Sequence, residues 1–318
     1  MKHKLLTFLR TWGIGLATLI FVGKALQDNW QDLNSIQIQN QAWVYAGAAL
    51  GVGLLSHLWL ALLWGWILRD LQNPVPWQWA IVVFLTNDIA KYLPGNVWHL
   101  YGRVRAAQKL GISVEVGTSS VLLEPLFITA AAMGFALLNT SHPVLQGLSG
   151  LALACILIGV HPLIFEQVLN RISSIRKSLA FQRFRRRTPV RPHRNRPLAV
   201  RLKRYPLGIL GGEVLFVGLR CISFLLTVLT FTALSGKDLV PLVGGFSFAW
   251  ILGLVMPGAP GGLGVFEATA INLLNGLLTP GILLGAVGLY SLINILTSIV
   301  GASVGWLIGL LMKFLVSK

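Results

Sequence analysis

From Ala42 to Leu68 the chain carries no charged residue, and comparable apolar runs recur from near its start to near its end. A helix of about 20 apolar residues is long enough to cross the hydrocarbon core of a bilayer. Once several such runs are present, lipid must solvate most of the surface. Composition agrees: 11% of the 318 residues are charged, against about 25% in ordinary soluble domains, and mean hydropathy is +0.72. The expected fold class is an all-α polytopic membrane protein, one transmembrane domain over residues 1–318.

The formal charge of +16 and pI near 10.7 do not indicate nucleic acid, because the charge is placed by topology. Thirteen of the 26 basic residues fall between Arg171 and Arg204, with no acid among them. Most others flank apolar runs, as the positive-inside rule expects. A basic loop over residues 171–205 is therefore expected in the cytoplasm, where it also attracts anionic lipid. Both termini are placed on the same side, in a plasma (inner) membrane. Met1 to Leu26 has a basic start but no clear small-residue cleavage site, so it reads as a retained first helix. Cys155 and Cys221 lie in apolar runs and imply neither a disulfide nor a metal framework.

About six full spans are expected: Arg10 to Leu26, Ala42 to Leu68, Ile112 to Leu138, Leu145 to Leu169, Pro206 to Leu234 and Gly281 to Leu311. The last is long enough for one tilted helix or two short ones. Two further apolar segments are interrupted. Trp77 to His99 contains Asn87, Asp88, Lys91 and Pro94-Gly95; Val240 to Leu278 is broken at Pro257 to Gly262. Arg69 and the cluster at Arg103, Arg105 and Lys109 belong on the cytoplasmic side, which requires the first segment to enter and leave on that side. It is expected as a re-entrant hairpin, and the second as a hairpin from the opposite face. The alternative is that Pro and Gly merely kink two spanning helices. With hairpins, residues 42–138 and 206–311 form an inverted repeat, and interrupted segments at corresponding places in two halves point to a transporter's substrate site.

Ionisable groups at membrane depth cost roughly 2.5–3.5 kcal/mol each on insertion scales, so each needs a reason. Asp88 and Lys91 share a helix face before the first break. Glu124 precedes Pro125, Glu213 and Arg220 stand seven apart in one span, and Glu267 follows the second break. Pairing that fixes helix packing accounts for any one of them; together they gather around the breaks. A helix ended inside the membrane leaves backbone groups that only protein or water can satisfy. The N-terminus of the helix that restarts there suits a phosphate.

The segment KYLPGNVW (Lys91 to Trp98), the following Gly102-Arg103, and PGAPGGLGVFEA (Pro257 to Ala268) resemble the transmembrane, flippase-like domain of the lysylphosphatidylglycerol synthetase family. The likeness extends from about Thr11 to Leu311. It implies a domain that handles phospholipid, held in fused relatives to move aminoacylated phosphatidylglycerol between leaflets. By motif it implies Lys91, Pro94, Gly95, Arg103, Pro257, Gly261, Gly262 and Glu267 as lipid-site residues. Asp88, Glu124, Glu213 and Arg220 join them from the membrane-charge argument. No aminoacyl-transferase domain is expected, since the sequence ends at Lys318 with no soluble segment after its last apolar run.

The resulting expectation is translocation of an anionic or aminoacyl phospholipid, or of a polyprenyl-linked lipid, between leaflets. Its rival is an accessory subunit that presents a lipid to a separate glycosyl- or acyltransferase. An intramembrane enzyme using Glu124, Glu213 or Glu267 is a third reading, against which stand the lack of HExxH, of Ser/His pairing and of a metal cluster. No Walker-type loop is present, so direct ATP hydrolysis is not expected. No cofactor or metal is expected either. The expected partners are a membrane lipid with an anionic head group and a possible lipid-modifying enzyme; nucleic acid is not among them.

Overall fold

The computed structural model describes residues 40–93, 95–138, 143–162, 205–256 and 259–316, together with positions 27, 164 and 167. The expected first span, the basic loop up to residue 204, Pro94 and Pro257 lie outside these residues. The described elements are helical: α1 (Asn40–Asp70), α2 (Trp77–Asp88), a 3-10 turn η1 (Ile89–Tyr92), α3 (Trp98–Lys109), α4 (Val114–Ala136), α5 (Pro143–Gly159), α6 (Leu207–Leu229), α7 (Gly236–Val255), a second 3-10 turn η2 (Pro260–Gly262), α8 (Val265–Leu273) and α9 (Pro280–Val316).

Five of these, α1, α4, α6, α7 and α9, are long and apolar enough to cross a membrane. The last apolar run is thus one helix of 37 residues. α7, expected as one limb of a hairpin, is by itself 20 residues long, about 30 Å. α5 has 17 residues and runs to Gly159; most of positions 163–169, where its span was expected to end, lie outside the described residues. α2 and α8, with 12 and 9 residues, reach only about 18 and 14 Å at 1.5 Å per residue. The outer surface is apolar: Trp306, Leu311 and Phe314 on α9 and Val144 and Leu151 on α5 are mostly exposed. Such a surface is stable against lipid and not against water.

The helix breaks follow from proline chemistry. A residue before proline is pushed from helical to extended backbone. Leu93 (φ −75°, ψ 150°) accordingly ends η1 ahead of Pro94, and Met256 (φ −67°, ψ 115°) ends α7 ahead of Pro257. After the first break the chain turns through Gly95 and Asn96, both with positive φ. After the second it turns through Gly261 (φ 61°) and Gly262 (φ 75°). Gly262 also lies against α7: a Cβ there would stand 2.9 Å from the Gly253 carbonyl oxygen, closer than any side chain tolerates.

Helix pairing repeats along the chain. α1 packs on α2 and α4, as α6 packs on α7 and α9. α2 packs on α3 and on α9, and correspondingly α7 packs on α8 and on α4. α3 lies on α4 as α8 lies on α9, while α1 meets α6 and η1 meets η2. α5 falls outside this pattern and rests on α4. Two apolar clusters underlie the arrangement. One, around Trp64, Ile67, Phe84, Leu123 and Phe127, joins α1, α2, α3 and the first half of α4. The other, around Phe216, Phe224, Phe246, Phe266 and Tyr290, joins α6 to α9 and the second half of α4. Within it Phe224 stacks on Phe246 at 4.6 Å, and Tyr290 meets both edge-on, geometries that aromatic rings prefer.

Candidate functional site

Where the two breaks meet, a cavity of about 230 Å³ opens between the halves. Every described helix except α5 contributes to its wall, and so do η1 side chains, through Lys91, and the η2 glycines. The wall is apolar at Leu60, Phe84, Ile128, Phe216 and Phe266. Set among these are three cations, Lys91, Arg103 and Arg220, and three acids, Asp88, Glu124 and Glu267. The structure therefore gathers seven of the expected site residues besides Gly262 in one place: Asp88, Lys91, Arg103, Glu124, Arg220, Gly261 and Glu267. Gly95 shapes the turn without lining the cavity.

The charges are arranged in distinct ways. Lys91 Nζ donates to Asp88 Oδ2 at 2.8 Å, as expected of residues one turn apart. The same oxygen accepts from Ser298 of α9 at 2.8 Å and lies 3.2 Å from His57 Nε2 of α1. Asp88 is thus a hub tying α1, α2, η1 and α9 together. Arg103 and Glu124 form a second pair, almost wholly buried, between α3 and α4. The Arg103 guanidinium is also covered by the rings of Phe84 and Trp64, at 4.7 and 5.5 Å. A desolvated cation stabilised by ring faces and a carboxylate is well compensated.

Glu267 stands differently. Its carboxylate accepts from the Gly264 N–H at the start of α8 and from the Ser291 hydroxyl of α9. The expectation that the α8 N-terminus is free for a phosphate needs correction. The acid of the motif GVFE sits at the third position of its own helix and reaches back to the N–H of Gly264, the residue just before the helix, one half of a capping box. The glycine-rich turn is built to admit this carboxylate.

Arg220 and Glu213 also depart from expectation. Spaced seven apart on α6, they do not pair. Arg220 Nη2 donates to Asn294 Oδ1 at 2.7 Å, while its Nε meets no acceptor. Its guanidinium lies over Trp250 and Tyr290 at 5.6 Å and Phe216 at 5.9 Å. Glu213 is fully buried, makes no hydrogen bond through either oxygen, and does not line the cavity. Apolar α1 surface covers that turn of α6; the neighbouring Gly212 accommodates Leu63.

His57, Ser291, Asn294 and Ser298 join the site beyond the residues expected from sequence. His57 was legible as an ionisable group inside an uncharged span. Ser291, Asn294 and Ser298 fall at helical spacing on one face of α9, a polar stripe on an otherwise apolar helix. Among the described residues no three His, Cys, Asp or Glu side chains converge as a metal would require.

The family model described as "Lysylphosphatidylglycerol synthase TM region" matches residues 8–301 of the chain. The chain belongs to this family. The matched residues include both breaks and every charged group of the cavity, so within this family member the cavity is part of the shared transmembrane region. No individually curated protein matches the chain.

Proposed function

We propose that this family member moves a phospholipid with an anionic head group, or a polyprenyl-linked lipid, from one leaflet to the other. The head group enters the cavity between the two breaks while the acyl chains remain in lipid. The observation that carries this reading is a charged cavity walled by both interrupted segments in a protein whose outer surface is apolar. Drug-sized ligands occupy about 300–1,000 Å³, so 230 Å³ takes a head group and excludes two acyl chains.

Transport of this kind requires the cavity to open to each leaflet in turn. The repeated helix pairings support an inverted repeat, residues 42–138 against 206–311, in which one half rocks on the other about the η1–η2 contact. The two breaks form re-entrant hairpins from opposite faces, the N- and C-termini and the basic loop are cytoplasmic, and the membrane is the plasma membrane. Short α2, α3 and α8 suit the hairpins, since none reaches across a core of about 30 Å, whereas α7, the longer limb of the second, is long enough to cross. The protein makes and breaks no covalent bond; a lipid-modifying enzyme supplies or uses the lipid.

The test is reconstitution of the full chain into liposomes carrying a headgroup-labelled lipid and addition of a membrane-impermeant quencher. Translocation brings the inner-leaflet label out faster than in protein-free liposomes, and Lys91→Ala abolishes the gain. Rates equal to protein-free liposomes for every anionic lipid tried overturn it and favour the presenting-subunit reading.

A further inference from the structure

The cavity's polar groups are not equally committed, and the imbalance has a sign. Each acid that lines it is already engaged. Asp88 is held by Lys91, His57 and Ser298. Glu124 is held by Arg103. Glu267 accepts from Gly264 and Ser291, and the N-terminus of α8 offsets its charge. Two of the three cations are likewise neutralised. Arg220 is not: among the described residues it forms no ion pair, its one hydrogen bond goes to a neutral amide, and its Nε donor is buried without an acceptor. Arg220 itself is 4% exposed.

A buried guanidinium without a carboxylate carries a large desolvation cost, and three ring faces offset only part of it. Two further groups on the same wall are unengaged, and the tyrosine hydroxyl is a donor. The Tyr290 hydroxyl and His99 Nδ1 are buried without a hydrogen bond of acceptable geometry. The first turn of α3 also lines the cavity, through His99 and Leu100. Glu213, the buried acid without a hydrogen bond among the described residues, lies off the cavity.

We infer that the cavity binds the phosphate of an anionic head group lacking an amino substituent, anchored by Arg220 and assisted by Tyr290, and that it discriminates against aminoacylated head groups. This rests on the lipid reading above and narrows its substrate. A phosphodiester oxyanion supplies the acceptors that Arg220 and Tyr290 lack, whereas an added ammonium meets only carboxylates whose charge is already matched. Discrimination then comes from charge: Arg220 is unmatched by an acid, so a head group of net negative charge is favoured over one that gains an ammonium.

The experiment uses the purified full chain in neutral detergent and measures retained lipid by native mass spectrometry, with thermal melting as a check on folding. Probes are dioleoylphosphatidylglycerol, its lysyl ester, dioleoylphosphatidylcholine and inorganic phosphate. The expected order places phosphatidylglycerol at least about tenfold tighter than its lysyl ester. Arg220→Gln lowers its affinity by a similar factor. Tyr290→Phe removes a hydroxyl without disturbing the ring packing, so it weakens binding several-fold with no loss of melting temperature, and it decides the matter if Arg220→Gln fails to fold. Equal or tighter binding of the lysyl ester overturns the inference. So does phosphatidylglycerol binding that Tyr290→Phe and a folded Arg220→Gln leave unchanged, and so does stabilisation by inorganic phosphate without lipid retention. Phosphatidylglycerol binding through Arg220 without leaflet exchange supports the inference and removes translocation alone.

Discussion

The Tyr92 ring lies directly against Gly261, so the residue that ends η1 covers the glycine that turns η2. A side chain at 261 would collide with that ring, and the backbone there has φ 61°, where only glycine is unstrained. Gly261→Ala therefore carries two penalties: about 1–2 kcal/mol for left-handed backbone and about 1–3 kcal/mol for overpacking. Adding Tyr92→Ala removes the second and leaves the first. The measurement is thermal melting of the two single variants and the double variant in one detergent. Additive losses would show that the two breaks do not pack as described.

Arg103 and Glu124 are both almost wholly buried. Removing one partner of such a pair leaves an uncompensated charge and costs about 3–5 kcal/mol, while replacing both with apolar residues of similar size is often neutral. Arg103→Met and Glu124→Leu are each expected to melt several degrees lower. The double variant should recover most of the stability. If it recovers leaflet exchange too, the pair is architecture; if stability returns and exchange does not, the charges act on the lipid.

Topology gives a test independent of activity. Under the hairpin arrangement, the α3–α4 and α8–α9 connections lie on opposite faces. Cysteines at Gln108 and Asn275, in a chain without Cys155 and Cys221, should react with an impermeant maleimide from opposite sides of sealed vesicles. Asn275 serves better than its neighbour Gly276, whose φ of 87° a cysteine would strain. Labelling of both from one side would exclude opposed hairpins.

The membrane class, the breaks and most of the charged site were legible in the sequence because each rests on a local rule. Proline fixes the residue before it, and a charge inside an apolar run needs a partner. Long-range pairing was not legible. Glu213 and Arg220 share a face of one helix but stand two turns apart, about 10.5 Å at 1.5 Å per residue; α6 presents Arg220 to Asn294 of α9 and packs beside α1 near Glu213. Helix-face arithmetic gives which residues share a side; which helix arrives there depends on the whole fold. Ser298 to Asp88, 210 residues apart, lies beyond any local reading. The capping role of Glu267 was within reach, since an acid three residues after a turn glycine is a helix-start pattern.

Glu213 offers a sharper separation of stability from function. Both its oxygens are buried without a hydrogen bond, a state that costs roughly 1–3 kcal/mol in mutational data for a neutral polar group and more for a charged one. An apolar residue of similar size at that position relieves the cost, so Glu213→Leu should raise the melting temperature. At about 2–4 °C per kcal/mol for chains of 150–250 residues, and less for a longer one, a rise of a few degrees is expected. If Glu213 contributes only packing, leaflet exchange is unchanged or improved in the stabilised protein. A gain in stability with a loss of exchange would mark the acid as one kept for transport, the trade that strained functional groups show. A lower melting temperature would instead mean that the carboxyl has a partner, and would contradict the burial described for α6.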